Sequence, residues 1–163
     1  MAKSWQMLVF FILVSELAGV LGAVFTLDAI PSWYNTLAKP PLSPPPFVFA
    51  PVWTALYLLM GVSAYLIWEK GAEKKEVRTA LLFFALQLAL NALWSILFFG
   101  MRSPLLGLID IVLLWLAIFQ CMRLFYRIDK RAACLLIPYI VWVSFAAYLN
   151  AGIFIMNPAG STI

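Results

Sequence analysis

A polar, proline-dense segment runs directly into an aromatic apolar one in residues 31–61, PSWYNTLAKPPLSPPPFVFAPVWTALYLLMG. Seven of the ten prolines lie between Pro31 and Pro51. Proline restricts φ and lacks a backbone N–H, so this segment favours a stiff, extended path over a flexible connection. Its aromatic side chains form either an interfacial belt or a lid over an intramembrane pocket. They are Trp33, Tyr34, Phe47, Phe49, Trp53 and Tyr57.

The rest of the chain is mostly apolar. Of its 163 residues, 65% are hydrophobic and 11% charged, and the mean hydropathy is +0.99, which indicates an integral membrane protein. Five stretches approach the roughly 20 helical residues that cross a hydrocarbon core. They are 5–25, 51–68, 79–99, 104–125 and 133–156. These stretches predict one all-α membrane domain, a five-transmembrane-helix bundle with a long proline-rich first loop over 26–50 that acts as the lid.

The basic residues predict the orientation of this bundle. Lys3 and two clusters fall on one side of the membrane, whereas Lys39 and Arg102 fall on the other. The clusters are Lys70, Lys74, Lys75 and Arg78, and Arg123, Arg127, Lys130 and Arg131. By the positive-inside rule the N-terminus is cytoplasmic, and the first loop and the C-terminus are outside. Because these cations also explain the pI of about 9.2, the basic charge does not indicate a nucleic-acid partner.

Histidine and cysteine usage argues against several kinds of chemistry. With no histidine, the sequence offers no Ser-His pair, no imidazole ligand for haem iron and no predicted metal site. Cys121 and Cys134 fall on the predicted cytoplasmic side, where two buried, reduced cysteines are expected rather than a disulfide. No required cofactor is predicted.

Two acidic residues lie within the predicted membrane helices. An ionisable group in hydrocarbon normally faces a partner or a cavity. Glu16 either does so or extends towards the membrane surface, and Asp110 either pairs with Arg102 or caps the start of the fourth helix. Small residues follow Glu16 at spacings of four, which predicts a close-packed seam within the bundle or between two copies. They are Ala18, Gly19, Gly22 and Ala23.

Three helices carry stripes of residues at helical spacing. In the second helix the stripe is aromatic with a glycine, in the third it is polar, and in the fifth a small residue lies among aromatics. The stripes are Trp53, Tyr57 and Gly61; Gln87, Asn91 and Ser95, with Trp94 adjacent; and Trp142, Phe145, Ala146, Leu149 and Asn150. Each is either interhelical packing and hydrogen bonding, or the wall of a slot for a planar ligand.

In this order and on these helices, the same residues resemble the tryptophan-rich sensory protein (TspO/MBR) family, also called translocator protein or peripheral-type benzodiazepine receptor. The resemblance covers essentially the whole chain, from Trp33-Tyr34 and Lys39-Pro40 through Trp94-Ser95 to Leu149-Asn150. It implies a five-helix bundle, commonly a homodimer, whose ligand pocket is closed by the first loop. It also implies binding of protoporphyrin IX, haem, and synthetic isoquinoline carboxamide or benzodiazepine-type drugs.

For bacterial members the resemblance further implies light- and oxygen-dependent breakdown of protoporphyrin IX, so the porphyrin is ligand or substrate. By position, Trp53 and Trp142 would support that chemistry. The implied ligand-binding residues are Tyr34, Trp53, Gln87, Asn91, Trp94, Trp142, Phe145, Ala146 and Leu149. Lys39 is a candidate partner for a propionate. The alternatives are a porphyrin transporter or stress-sensing receptor without catalysis, and a structural factor whose aromatics only pack.

The chain departs from animal members after Tyr148. Their sterol-recognition pattern needs a basic residue shortly after a tyrosine, and none follows Tyr148 here. Looser forms of the pattern occur at Val62/Tyr65/Lys70 and Leu124/Tyr126/Lys130, where ordinary helix-end anchors are the simpler explanation. Together with the basic-residue pattern, this departure predicts a bacterial member in the cytoplasmic membrane.

Overall fold

The computed structural model describes residues 2–158, and their side chains from Ser4 onwards. All regular elements in this part of the chain are helical. They are α1 (Ala2–Ser32), α2 (Phe49–Trp68), α3 (Lys75–Ser95), α4 (Pro104–Ile128), α5 (Lys130–Leu135) and α6 (Ile137–Met156), with 3-10 turns at Tyr34–Thr36 and Pro46–Val48 and a π-turn at Ile96–Gly100.

Five spans are long and apolar enough to cross a membrane, which confirms the predicted all-α, five-helix architecture. They are Ser4–Ser32, Pro46–Trp68, Lys75–Gly100, Pro104–Ile128 and Lys130–Met156. The last span combines α5 and α6, which are separated at Leu136. Pro138 lies in the first turn of α6, where its missing N–H costs nothing within that helix, but it interrupts the hydrogen bonding of the preceding turn.

The first helix ends at Ser32 rather than at the predicted residue 25, so the loop to α2 is shorter than the predicted 26–50. Its polar residues do not end the helix, because Thr26 and Ser32 donate their hydroxyls to backbone carbonyls one turn earlier, at 2.8 and 2.5 Å. At 1.5 Å per residue the 29-residue span is about 44 Å long and exceeds a hydrocarbon core of about 30 Å. Its last turns therefore extend beyond the hydrocarbon.

Contacts at the two ends show how the helices alternate. At one end, called here the basic end, Lys70 after α2 pairs with Asp129 after α4 at 2.9 Å. At the other end, the lid end, Asn157 after α6 hydrogen-bonds the backbone N–H and C=O of Ala38 at 3.0 and 2.9 Å. The first loop therefore covers the end of the bundle opposite the main basic clusters.

Small residues allow α1 to approach its neighbours closely. A Cβ added at Gly61 in α2 would lie 2.5 Å from Cα of Ile12 in α1, and one added at Gly22 would lie 2.8 Å from Ser95 Oγ in α3. Gly19 faces the ring of Tyr57 in the same way. The small-residue stripe of α1 thus packs within the bundle, which was one of its two predicted roles.

The first loop is held by its own apolar cluster. Trp33, Tyr34 and Leu37 are buried against Phe98 and Ile153. Pro40 lies against Gly152, where an added Cβ would approach its ring to 2.6 Å, and the Tyr148 hydroxyl donates to Pro41 O at 3.0 Å. Prolines stiffen the loop, but contacts with α6 determine where it lies.

Candidate ligand-binding site

A cavity of about 420 Å³ lies under the first loop, between α1, α2, α3 and α6. This volume falls in the range of about 300–1,000 Å³ typical of small-molecule sites. Its lining comprises Glu16, Gly19, Val20, Gly22, Ala23, Thr26, Leu27, Ile30, Tyr34, Pro46, Phe49, Ala50, Trp53, Thr54, Tyr57, Asn91, Trp94, Ser95, Phe99, Trp142 and Ala146.

Aromatic rings make up much of the cavity wall. Trp53 stacks on Tyr57 with ring centroids 5.5 Å apart and 27° between the planes. On α6, the Trp142 ring packs edge to face against Phe49, with ring centroids 6.2 Å apart. Trp94 stacks on the buried ring of Phe98 at 5.0 Å, which supports it from behind. These contacts hold the indoles in fixed orientations, and their remaining surfaces offer flat, polarisable contact area to a ligand.

A chain of hydrogen bonds lies behind the Trp53 wall. The Tyr57 hydroxyl donates to Asn91 Oδ1, and Asn91 Nδ2 donates to the Tyr139 hydroxyl at 3.1 Å. Tyr139 donates in turn to Gln87 Oε1 at 2.8 Å, and Gln87 Nε2 lies 3.8 Å from Met60 Sδ. The chain links α2, α3 and α6, so Gln87 and Asn91 serve interhelical hydrogen bonding, one of the two roles predicted for them.

The cavity tryptophans differ in the partners of their indole N–H groups. Trp94 Nε1 donates to Asn150 Oδ1 at 3.1 Å, and Asn150 Nδ2 donates to Pro104 O at 2.7 Å. Trp142 Nε1 is buried and has no acceptor among the residues that the structure describes. Trp94 therefore presents mainly its ring to the cavity, whereas Trp142 keeps an unused donor.

Glu16 supplies the carboxyl group of the cavity wall. It is half-buried in α1 and makes no hydrogen bond or ion pair with any other described residue. It faces the cavity, one of its two predicted positions. Asp110 behaves differently from either prediction, because it is buried in α4 without pairing with Arg102 and without capping that helix. Ser103 caps α4 instead, accepting from the Leu106 N–H at 3.3 Å.

Tyr34 forms part of the cavity roof. Its ring is 4% exposed, and burial raises the pKa of its hydroxyl, so the hydroxyl stays neutral at physiological pH. Lys39 Nζ lies 4.8 Å from the centroid of the same ring and does not line the cavity. The loop aromatics are thus divided between the buried cluster and the roof, whereas Phe47 is exposed.

Most of the predicted ligand-binding residues meet at this cavity. Tyr34, Trp53, Asn91, Trp94, Trp142 and Ala146 line it. Gln87 lies behind it, one hydrogen bond beyond Tyr139. Phe145 packs beside the wall, 5.7 Å from Trp142, and Leu149 is buried without reaching the lining.

The predicted set of ligand-binding residues missed the wall formed by α1 and also Pro46 of the loop. Gly19, Gly22 and Ala23 line the cavity from α1. Their small size at four-residue spacing was visible in the sequence, where it was interpreted as a packing seam. The residues do form a seam, but small residues beside large aromatic ones also leave open volume next to the contact.

Five membrane-spanning helices around a lid-covered aromatic cavity define a multi-pass membrane protein with an internal site of ligand size. Residues 11–156 match the TspO/MBR family model. The chain is 48% identical over 140 residues to the tryptophan-rich protein TspO of Chlorobaculum tepidum, and 42% over 139 residues to that of Archaeoglobus fulgidus. These alignments cover 86% and 85% of this chain, and 89% of each relative.

The bovine (Bos taurus) translocator protein is similar as well. It is 41% identical over 151 residues, which cover 92% of this chain and 89% of that protein. The chain belongs to the TspO/MBR family. It is an integral, multi-pass membrane protein of that family.

Proposed function

We propose that this protein binds a tetrapyrrole, protoporphyrin IX or haem, in the cavity under the first loop. The family supports a tetrapyrrole-related role at a general level. The observation that carries the proposal is the cavity itself, about 420 Å³ with Trp53, Trp94 and Trp142 all in its wall. Flat aromatic surfaces complement a macrocycle, and the polar groups of Tyr57, Asn91 and Trp94 already bond within the protein, so a ligand need not desolvate them.

Charge orients the proposed ligand. The cavity lining contains the Glu16 carboxyl but no lysine or arginine. Propionates would therefore be repelled near Glu16 and would point towards the lid end, where Lys39 lies outside the lining above Tyr34. Isoquinoline carboxamide and benzodiazepine-type compounds also carry flat aromatic rings, and we propose that they compete for the same cavity. A homodimer in the bacterial cytoplasmic membrane is part of the proposal.

The proposed activity is light- and oxygen-dependent degradation of bound protoporphyrin IX. Light supplies the energy, molecular oxygen is the oxidant, and the porphyrin is oxidised. Indoles are oxidisable, so Trp53 and Trp142 can exchange an electron with the excited macrocycle. Trp53 stacks on Tyr57, the first donor of the hydrogen-bond chain. Because of this contact we propose Trp53, rather than Trp142, as the main participant in the electron exchange.

The test is an illuminated absorbance time course of protoporphyrin IX bound to the purified protein. Native protein is compared with Trp53→Phe and Trp142→Phe, with dark and deoxygenated controls. Trp115→Phe is the matched indole control, because Trp115 lies on α4 outside the cavity and donates to Ser144 Oγ at 2.9 Å. We expect binding to persist in all variants and conversion to a discrete product to fail when Trp53 or Trp142 is replaced. Equal conversion in all four proteins would refute their catalytic role.

A second candidate is carriage or sensing of the porphyrin without chemistry. It is favoured by how few polar groups the cavity offers for a reaction. Tyr57 and Asn91 are bonded to each other, and Glu16 is the one carboxyl among the lining residues. Saturable binding with a stable porphyrin band in light supports this candidate. Net porphyrin flux into sealed vesicles would then favour transport, and its absence would favour sensing.

A further inference from the structure

A second recess lies on the lateral surface of the bundle, near the basic end. It is an open groove of about 540 Å³ between α4 and the α5–α6 segment. Its lining combines apolar and aromatic residues with two arginines: Trp115, Phe119, Met122, Arg123, Tyr126, Arg127, Ala133, Cys134, Ile137 and Ile140. None of these residues lines the cavity under the first loop.

The groove lies beside the helix break between α5 and α6. Farther along, Trp115 Nε1 donates to Ser144 Oγ at 2.9 Å and fixes α4 to α6. Trp115 also stacks on Phe119 at 5.6 Å with 9° between the ring planes. The recess lies between this contact and the break at Leu136. Because its lining residues lie within predicted membrane spans, the groove opens towards lipid.

Two guanidinium groups lie at the basic end of the groove. Arg123 and Arg127 are one helical turn apart on α4, so they share a face. The nearby acid Asp129 is already paired with Lys70 at 2.9 Å and with Arg131 at 3.0 Å. These are the ion pairs that the described residues make, and neither includes Arg123 or Arg127. The groove therefore has positive charge without a protein counter-ion.

We propose that this groove is a binding site for an anionic phospholipid. One acyl chain lies along Trp115, Phe119 and Ile140, and the phosphate lies between Arg123 and Arg127. Guanidinium groups bind phosphate oxygens through paired, charge-assisted hydrogen bonds. Basic pockets between membrane helices recognise anionic headgroups by the same chemistry.

The same residues argue against a sterol as the occupant. A sterol has one neutral hydroxyl and would leave two guanidinium groups without an anion. The loose sterol pattern ends at Lys130, whose ammonium lies 5.3 Å from the ring centroid of Tyr126. Tyr126 is in the groove lining, but Leu124 and Lys130 are not. Charge thus selects the phospholipid.

The exposed thiol of Cys134 provides a reporter inside the groove. Cys134 was predicted to be buried, but the structure places it in the groove lining. Cys121 is buried, as predicted, so a thiol reagent labels Cys134 selectively. A bimane label at Cys134 would sense a quencher carried by a lipid in the groove.

The first experiment counts retained lipids by native mass spectrometry of the full chain, in detergent containing equal amounts of phosphatidylglycerol and phosphatidylcholine. The test variant is Arg123→Gln with Arg127→Gln. The matched control is Lys74→Gln with Lys75→Gln, which removes the same charge from the basic end away from the groove. We expect the native chain and the control to retain phosphatidylglycerol preferentially. One basic side chain contributes about fivefold to the binding of an anionic lipid. The preference of the test variant for phosphatidylglycerol over phosphatidylcholine should therefore fall by roughly five- to 25-fold.

The second experiment locates the lipid. Phosphatidylglycerol with brominated acyl chains should quench the Cys134 bimane more than brominated phosphatidylcholine at the same mole fraction, and the arginine variant should abolish the excess. Equal loss of preference in the lysine control would overturn the proposal in favour of diffuse attraction. Equal quenching by both lipids, displacement by cholesterol, or displacement by glycerol phosphate at the lipid's concentration would overturn it as well.

Discussion

The cavity under the first loop and the groove beside α4 are of similar volume, about 420 and 540 Å³, yet we propose different occupants for them. The cavity is covered by a loop, and Asn91 and Trp94 in its wall already have protein partners. The groove is open to the side, and Arg123 and Arg127 have no carboxylate partner. Volume and aromatic lining alone do not distinguish the two sites. The placement of unsatisfied charge does.

Ala146→Phe should have the largest effect, because it fills the cavity where α6 offers a small side chain among aromatics. With a ligand bound, the added ring would overpack the cavity at a cost of about 1–3 kcal/mol, so we expect protoporphyrin IX affinity to fall by roughly ten- to 100-fold. Fluorescence titration measures this change. Ala133→Val in the groove lining is the companion variant and should leave porphyrin affinity unchanged. Equal losses in both variants would mean that the two sites are not independent.

Asn91→Leu should destabilise the bundle. It leaves the buried Tyr57 hydroxyl without its acceptor and removes a donor to Tyr139. An unsatisfied buried polar group costs about 1–3 kcal/mol, which should lower the thermal midpoint in detergent by several degrees. Ser95→Ala, one turn along α3 on the same face, removes a hydroxyl for which no partner is seen among the described residues and should change the midpoint little. A larger drop for Ser95→Ala would contradict the hydrogen-bond chain as the structural element.

Asn157→Ala should loosen the lid without altering the cavity wall. It removes both hydrogen bonds to Ala38, at 3.0 and 2.9 Å. At roughly 0.5 kcal/mol for each of these two exposed hydrogen bonds, porphyrin dissociation in stopped-flow measurements should accelerate about fivefold. Asn35→Ala changes an exposed loop amide and serves as the control. An unchanged dissociation rate in Asn157→Ala would show that ligand exit does not involve the lid.

Asp129→Asn should have the smallest effect, confined to the basic end. Hydrogen bonds from Arg131 and Lys70 lower the pKa of Asp129, so its ionised form stabilises the fold. This contribution is present above the ordinary pKa of about 3.9 and is lost as pH falls through the lower folded value. Since Arg131 is largely exposed, we expect about 1 kcal/mol or less. The gap in thermal midpoint between native and variant should be equal at pH 7 and pH 5, and smaller at pH 3.

Asp129→Asn also sharpens the comparison of the two sites. It releases Lys70 and Arg131 from their shared carboxylate without touching the groove. Phosphatidylglycerol preference should therefore persist or rise, and porphyrin affinity should not change. A loss of lipid preference would show that Asp129 positions the groove arginines.

Local patterns predicted the membrane spans because hydrocarbon demands long apolar helices with internal hydrogen bonds. The end of α1 was harder to place. Thr26, Asp28 and Ser32 suggest a loop because they are polar, but the helix continues to Ser32. The hydroxyls of Thr26 and Ser32 donate to backbone carbonyls one turn earlier, and the length of α1 places this turn outside the hydrocarbon. The exposure of Cys134 depends on the helix break and on where α4 lies, neither of which a single helix determines.

By itself, the sequence determined the five spans, the division of charge between the two ends, the proline-rich first loop and the aromatic stripes, but it left open whether the loop is a lid and the stripes are a cavity wall. Each depends on residue type or on spacing along one helix. Only the tertiary structure decided that α1 closes the cavity, that Gln87 and Asn91 are engaged with Tyr139 and Tyr57, and that Glu16 is left without a partner. Those outcomes depend on which helices meet and at what depth, because a side chain's role in a membrane is set by the groups that face it from its neighbours.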